Sequence, residues 1–383
     1  MNATDFSVVE KELKKLKIYE YFHDEWSRIY YRFILEWIDS SQLDDMLLRN
    51  LVANENMSLS LIREILPYHK RNLAGYNPHI TLEFIKEHSD LPWDFTNISQ
   101  FTEKISFEEM FEFYKKRGEH HIQGSESICL EFMHDLNIDR YMHLVDTCKD
   151  YHWSPDSLKY NTTITMKDYL KYRHHPFFTT KKTVMVEGEP WRVYFDASSL
   201  RTLTVDDYLN NDDYPWREKI MQSNTNRFTY EDYLKVGFIL PNEPVDELYC
   251  IYQPRFDYIQ KYPQYPWHTY SFFVKSPLVT LENILENSHL SWNMDYLLLN
   301  PNLTFDYLRK NMSMYLDRYP GATFYDDFYC SHVIRNKFTV ERVNWILQKI
   351  TENYIKSNIY FELKIKTWSS DRIHDWCGVE IEE

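Results

Sequence analysis

Across 383 residues the chain carries 58 acidic against 43 basic side chains, and its formal net charge of -15 repels phosphate backbones unless the bases gather on one face. Only 7 glycines against 31 tyrosines disfavour a turn-rich β-barrel or a glycine loop around a phosphate. Five cysteines, Cys129, Cys148, Cys250, Cys330 and Cys377, stand far apart with no CxxC pair, which argues against a zinc ribbon or a disulfide framework and suits a reducing compartment.

Residues 1–54 match no repeat. VVEKELKKLKIYEYF and DEWSRIYYRFILEWI have helical periodicity, which predicts an N-terminal helical cap over the exposed end of a stacked core. The first residues mix acids and bases without an apolar run of signal-peptide length, and no window approaches about 18 consecutive apolar residues. The expectation is an intracellular protein, neither secreted nor membrane-spanning.

Residues 55–338 read as a repeat array. A Thr or Ser anchor recurs at Ser58, Thr81, Ser106, Thr165, Thr204, Thr229, Thr280, Thr304 and Thr339, with weaker units at Asp139 and Pro254. Seven of the ten intervals fall within two residues of 25, and the other three, of 33, 39 and 35, read as the same unit with insertions. The tryptophans keep this phase: Trp93, Trp216 and Trp292 follow an anchor by 12, and Trp153, Trp191 and Trp267 precede the next anchor by 12 or 13.

Physical chemistry turns the spacing into a helix-turn-helix unit. A hydroxyl at the anchor caps a helix, worth about 1 kcal/mol, and acids two or three places on (Glu83, Glu108, Asp207, Glu231, Glu282, Asp306, Glu341) favour the positive end of the helix dipole. Apolar pairs follow on one helical face, such as Phe84 with Ile85, Tyr233 with Leu234, and Ile284 with Leu285. The room before each Trp predicts a first helix of roughly nine residues, about 13 Å long. Pro before Trp at Pro92, Pro215 and Pro266 predicts the first position of a second, short helix. Asn77-Pro78 and Asn300-Pro301 then read as exit turns. Helices this short are marginal alone and must stack. The predicted fold is therefore all-α, an α-solenoid of about ten repeats of about 25 residues.

Insertions fall near 118–126, 179–195 and 313–324. TVMVEGEPWRVYF reads as a β-hairpin about Glu187-Gly188, and its Trp191, Tyr194 and Phe195 form a candidate partner contact, although Trp191 also fits the repeat phase. SMYLDRYPGATFYDDFY reads as a surface loop. Residues 339–383 read as a C-terminal cap, a longer helix followed by a strand.

Little catalytic chemistry is legible. His120 and His121, with His134 and His143 beyond, lack finger-spaced partners for a metal, and His174-His175 has even less support. His374, Asp375 and Cys377 hold the residue types of a thiol nucleophile and its base, but side chains so close in sequence seldom form that geometry. No Walker loop, GxGxxG, GxSxG or HExxH occurs. The expectation is a protein with no catalytic residues, no metal and no cofactor.

The Asn-Pro-x-x-Thr and Pro-Trp-Asp pattern resembles the tandem repeats of proteins from nucleocytoplasmic large DNA viruses, such as mimivirus-like and marseillevirus-like genomes. The likeness spans roughly residues 55–345 and is closest over 77–99 and 276–311. It implies a viral origin and a repeat fold, with residence in the host cytoplasm, the viral factory or the virion. The function expected is a scaffold for protein partners, viral or host. The alternative is a helical scaffold in a replication, transcription or translation assembly that touches nucleic acid.

Overall fold

Hydroxyl caps set where the helices begin. The computed structural model describes residues 13–14, 19–38, 43–102, 104–117, 135–148, 161, 163–179, 182–186, 189–193, 200, 202–211, 228–236, 251–263, 265–317 and 327–349. In chain order the elements are α1 (Tyr19–Leu35), α2 (Asp45–Ala53), α3 (Leu59–Ile65), α4 (Leu82–Glu87), α5 (Phe95–Phe101), α6 (Phe107–Arg117), α7 (Ile138–Thr147), α8 (Met166–Tyr172) and α9 (Pro176–Thr179). Strands β1 (Lys182–Val186) and β2 (Glu189–Val193) follow, then α10 (Val205–Leu209), α11 (Tyr230–Lys235), α12 (Tyr258–Lys261) and α13 (Ser271–Val274). The rest are α14 (Leu281–Glu286), α15 (Met294–Leu297), α16 (Phe305–Asp317), α17 (Asp327–Arg335) and α18 (Thr339–Lys349). The described residues are predominantly helical, and none of their helices is long and apolar enough to cross a membrane.

Thr81 caps α4 by accepting from the Phe84 N–H, and Thr304 accepts from Tyr307 N–H in the same way. Thr165, Thr204, Thr229 and Thr280 go further and form reciprocal capping boxes with Asp168, Asp207, Asp232 and Asn283. In the unit around residue 139 the cap is Asn137, which accepts from Arg140 N–H, so the anchor lies two residues before Asp139. The helix after Pro254 has no side-chain cap. Thr339 is the first residue of α18 instead of its cap.

Where the sequence predicts roughly nine residues, the first helix of several units is shorter. α4, α11 and α14 have 6 residues and α10 has 5. The missing residues form a turn closed by tryptophan. In one unit Leu91 N–H donates to His88 O at 3.1 Å, Trp93 N–H to Leu91 O at 2.9 Å, and the Trp93 indole N–H to His88 O at 2.8 Å. The Trp267 indole reaches Tyr262 O and the Trp292 indole reaches Asn287 O in the same five-residue relation. His88, Tyr262 and Asn287 are the C-cap residues of α4, α12 and α14. The indole thus satisfies a helix-end carbonyl while its ring enters the core.

This corrects the role of the Pro-Trp pair. Pro266, with φ -80 and ψ 63, is the middle of an inverse γ-turn, a conformation that the proline ring favours. In that unit a 3-10 helix, Trp267–Thr269, does begin directly after the proline, whereas elsewhere the second helix starts later, at Phe95 with Asp94 as its cap in one unit and at Met294 in another. Along the first helices Phe84, Ile85, Tyr233 and Ile284 are buried and Leu234 is half-buried, but Leu285 faces solvent at 54% exposure.

The interruption starting at Ser313 is helical in its first five residues, because α16 continues through Asp317. Residues 118–126, and the rest of that interruption up to 326, lie outside the described residues, as does everything after 349. β1 and β2 pair antiparallel, Lys182 opposite Val193 and Val186 opposite Glu189.

The chain divides into two compact units, residues 66–254 and the combination of 1–65 with 255–383. In the first, the 3-10 helix Tyr68–Tyr76 packs on α5. Gly75 permits the close approach, since a Cβ there would stand 3.0 Å from Ile98 Cγ1 and 3.8 Å from the Trp93 ring. Neighbouring repeats are also joined by side-chain hydroxyls that reach the carbonyl just before the preceding cap: Thr102 to Ile80 O, Thr163 to Leu136 O and Thr202 to Ile164 O.

In the second unit asparagine makes this link. Asn300, with no exposed surface, accepts from Asn302 N–H at 2.8 Å and donates back to Val274 O at 2.6 Å and Val279 O at 3.1 Å. Asn336 accepts from Phe338 N–H and donates to Leu298 O and Asn300 O. Asn54 accepts from Asn56 N–H and donates to Ile334 O and Asn336 O. The three are superimposable in register: each amide reaches the carbonyl two residues before the previous rung, at positions 274, 298 and 334 relative to Ser276, Asn300 and Asn336. Asn54 therefore stands where the successor of Asn336 would stand.

Hence the segments predicted as two separate end caps, 1–54 and 339–383, meet in one unit through their described residues: Arg342 donates to Tyr19 OH at 3.1 Å, and the Trp345 ring centre lies 5.8 Å from that of Trp26. The Trp26 ring stacks on Phe305 at 5.6 Å, and Phe33 stacks on the same ring at 4.0 Å. Tyr30 OH donates to Ile334 O, and burial pushes its pKa up. Phe338 adopts φ 44, a left-handed conformation disfavoured for a residue with Cβ, while its ring packs edge-on to Phe305 at 5.0 Å and to Phe33 at 5.5 Å.

Because the Asn300 amide and its backbone partners are all buried, Asn300→Leu is expected to lower the unfolding free energy by about 3 kcal/mol in urea titration. A loss below about 0.5 kcal/mol, the level of ordinary surface changes, would contradict the rung. A second expectation concerns Glu341, half-buried at the start of α18, whose carboxyl is held above the usual range by burial and then by Asp306, against the Phe305 N–H and Arg309. A raised acid binds its proton more tightly when folded, so its ionised form weakens the fold at neutral pH. Glu341→Gln should raise Tm at pH 7, and the gain should vanish as pH falls below the ordinary carboxylate range; an equal gain at both pH values would contradict this.

Candidate protein-interaction surface

Most conspicuous residues of the repeat are used internally, so contact chemistry must come from what the helices leave outside. Across unit 66–254 runs a row of ion pairs joining successive units: Glu108 with Arg140 at 3.2 Å, Asp139 with Lys171 at 2.7 Å and Asp206 with Lys235 at 3.8 Å. Each acid lies in the first turn of one helix and each base on the next unit's helix. Asp139 also accepts from Tyr172 OH, and the Lys171 and Tyr172 hydrogen bonds hold its carboxyl below the usual range. Such exposed pairs are worth little in stability and serve mainly to fix the charge pattern.

One exposed aromatic is held by several partners. Tyr68, at the start of the 3-10 helix, is 48% exposed, and its OH donates to Asp90 at 2.6 Å, which pushes the phenol pKa up. The Arg71 guanidinium lies 5.4 Å from its ring centre, and the His88 ring is 5.6 Å away on the inner side. Arg71 reaches His88 Nε2 at 3.2 Å, while His88 Nδ1 meets Phe84 O at 2.9 Å. The Phe84 carbonyl can only accept, so Nδ1 is the donor to it and Nε2 faces the Arg71 guanidinium. Tyrosine and arginine with restricted side chains are residue types suited to interfaces, because little entropy is lost when they are buried. In the sequence Tyr68 stands where a phased tryptophan is expected, and this departure from the pattern was the available signal.

The residues singled out from the sequence fare differently. The caps Thr81, Thr165, Thr204, Thr229, Thr280 and Thr304 and the buried Trp93, Trp267 and Trp292 lie within the repeats as described. Trp153 and Trp216 lie outside the described residues. Of the hairpin contact, Trp191 lies on β2 opposite Val184, while Tyr194 and Phe195 lie outside the described residues.

His120, His121 and His134, and His374, Asp375 and Cys377, also lie outside the described residues. His143 is exposed on α7. His175 accepts from Phe177 N–H at Nδ1 and meets Asp146 at 3.0 Å through Nε2, which ties two helices together. Among the described residues no group of three or more His, Cys, Asp or Glu is placed to hold a metal ion.

Comparison with protein-family models, with curated proteins and with solved structures finds no match for the chain. The surface itself must supply the functional argument.

Tyr68→Ala is expected to leave Tm within about 2 °C of the parent, as for an exposed side chain, and to weaken partner capture several-fold. Undiminished capture by this variant would remove Tyr68 from the interface.

Proposed function

We propose that the protein is a non-catalytic α-solenoid scaffold of viral origin that binds protein partners, viral or host, in the infected cytoplasm, the viral factory or the virion. The observation that supports this reading is the division of labour within the repeat. Thr caps, Trp turns and Asn rungs join helix to helix and repeat to repeat, leaving outside a row of exposed charge pairs and a surface tyrosine, Tyr68, held by its neighbours. Repeat arrays of this kind present contact surface continuously, with each unit adding a similar increment. In this reading the β1–β2 hairpin is an insertion offering a further contact through Trp191. The viral assignment rests on the resemblance of the repeat pattern over residues 55–345.

The overall charge of -15 favours a protein scaffold over one that holds nucleic acid. The test pairs cross-linked affinity capture of the tagged chain from infected cells with anisotropy titrations against single-stranded and duplex DNA and RNA. The expected result is a stable protein partner and nucleic-acid binding no tighter than about 10 μM at physiological salt, within the non-specific range. Tight, salt-sensitive nucleic-acid binding without a protein partner would overturn the proposal.

A further inference from the structure

We propose that the contact between residues 19–65 and residues 298–347 is an interface that a second copy of this chain can also supply, so that two chains associate by exchanging their N-terminal segments. The contact is head-to-tail: the segment carrying Asn54 meets a different surface, the one carrying Ile334 and Asn336. Its hydrogen bonds repeat those by which Asn336 sits on Leu298 and Asn300. Asn56 extends the match by one bond, donating to Lys337 O as Asn302 donates to Pro277 O. Nothing in these bonds requires both sides to belong to one chain.

Charge adds directionality. On the N-terminal side stand Glu36 and Glu55; opposite them are Arg309, which grips Glu36 with two hydrogen bonds of 2.7 and 2.8 Å, and Lys337, 2.6 Å from Glu55. Arg335 adds two hydrogen bonds to Asn50. Two acids on the N-terminal side thus meet two bases opposite, within a chain that is acidic overall. The N-terminal segment joins the other unit at the Ile65–Leu66 boundary, next to Pro67 in extended geometry, where a change of backbone direction could release it. Exchange of an identical element between two copies is a low-cost route to a dimer. In dilute solution the tethered copy wins, because linkage within one chain gives an effective concentration on the order of mM.

The experiment therefore makes the contact repulsive within each chain and attractive between two. One chain carries Glu36→Arg and Glu55→Lys; the other carries Arg309→Glu and Lys337→Glu. Each alone is expected to sediment as a monomer, and the co-expressed pair as a heterodimer of twice the 46.9 kDa chain mass. Adding Asn54→Leu to the first chain keeps the charge attraction but removes the rung, and should abolish the heterodimer. A single chain with all four charge changes should recover the parent's Tm and remain monomeric. The proposal fails if the pair stays monomeric while the fourfold chain is stable, because the contact then re-forms only within a chain. It also fails if the heterodimer persists with Asn54→Leu, because charge alone then holds it.

Discussion

A buried asparagine amide, turned so that its oxygen closes its own loop and its nitrogen holds the preceding repeat, is the constraint on which the described unit 1–65 with 255–383 depends. The oxygen at Asn54, Asn300 or Asn336 accepts from the N–H two residues on, fixing the chain in a tight Asx turn before the next helix. The nitrogen then donates to carbonyls at the end of the previous helix. Two problems of a short-helix array, unsatisfied helix ends and repeat-to-repeat register, are met by one side chain. In unit 66–254 threonine hydroxyls at Thr102, Thr163 and Thr202 make part of the same connection.

Tryptophan complements this at the other helix end. Helices of five or six residues leave most of their last carbonyls outside any internal ladder. The Trp93, Trp267 and Trp292 indoles each close one, while their rings pack with neighbours such as Phe84, Tyr258 and Phe273. Polar satisfaction and apolar burial are thereby obtained from the same residue, which explains why the position tolerates a Pro or Ser before it but holds its distance from the helix end. In the N-terminal segment the same economy appears at Trp26, whose indole donates to Asn56 while its ring stacks on Phe305.

Much of this was legible in the sequence. The threonine anchors and phased tryptophans appear directly as periodicity, because capping and core burial act on residue type at fixed spacing. The asparagine whose oxygen accepts from the N–H two residues on was legible too, four residues before the anchor at Asn54, Asn77, Asn161 and Asn300, but from sequence only the Asn-Pro cases are assigned a role, as turns. What Asn54 joins could not be read from spacing, since its partners are about 280 residues away. The same limit separated the two terminal segments into opposite caps, although Phe22 and Trp26 pack against Trp345 and Arg342 donates to Tyr19 OH. Tyr68 escaped notice as a surface anchor because its pattern position suggested burial, whereas its partners Asp90 and Arg71 hold it at the surface.

The most direct test of this account follows amide hydrogen exchange in peptides covering α1 and α18 of the full chain. If the Asn54 rung and the aromatic cluster unite the two segments, both helices open with the same free energy, and Asn336→Leu lowers the protection of both by the same amount. Protection lost in one helix while the other retains its parent value would contradict the claim that the first repeat is the structural successor of the last.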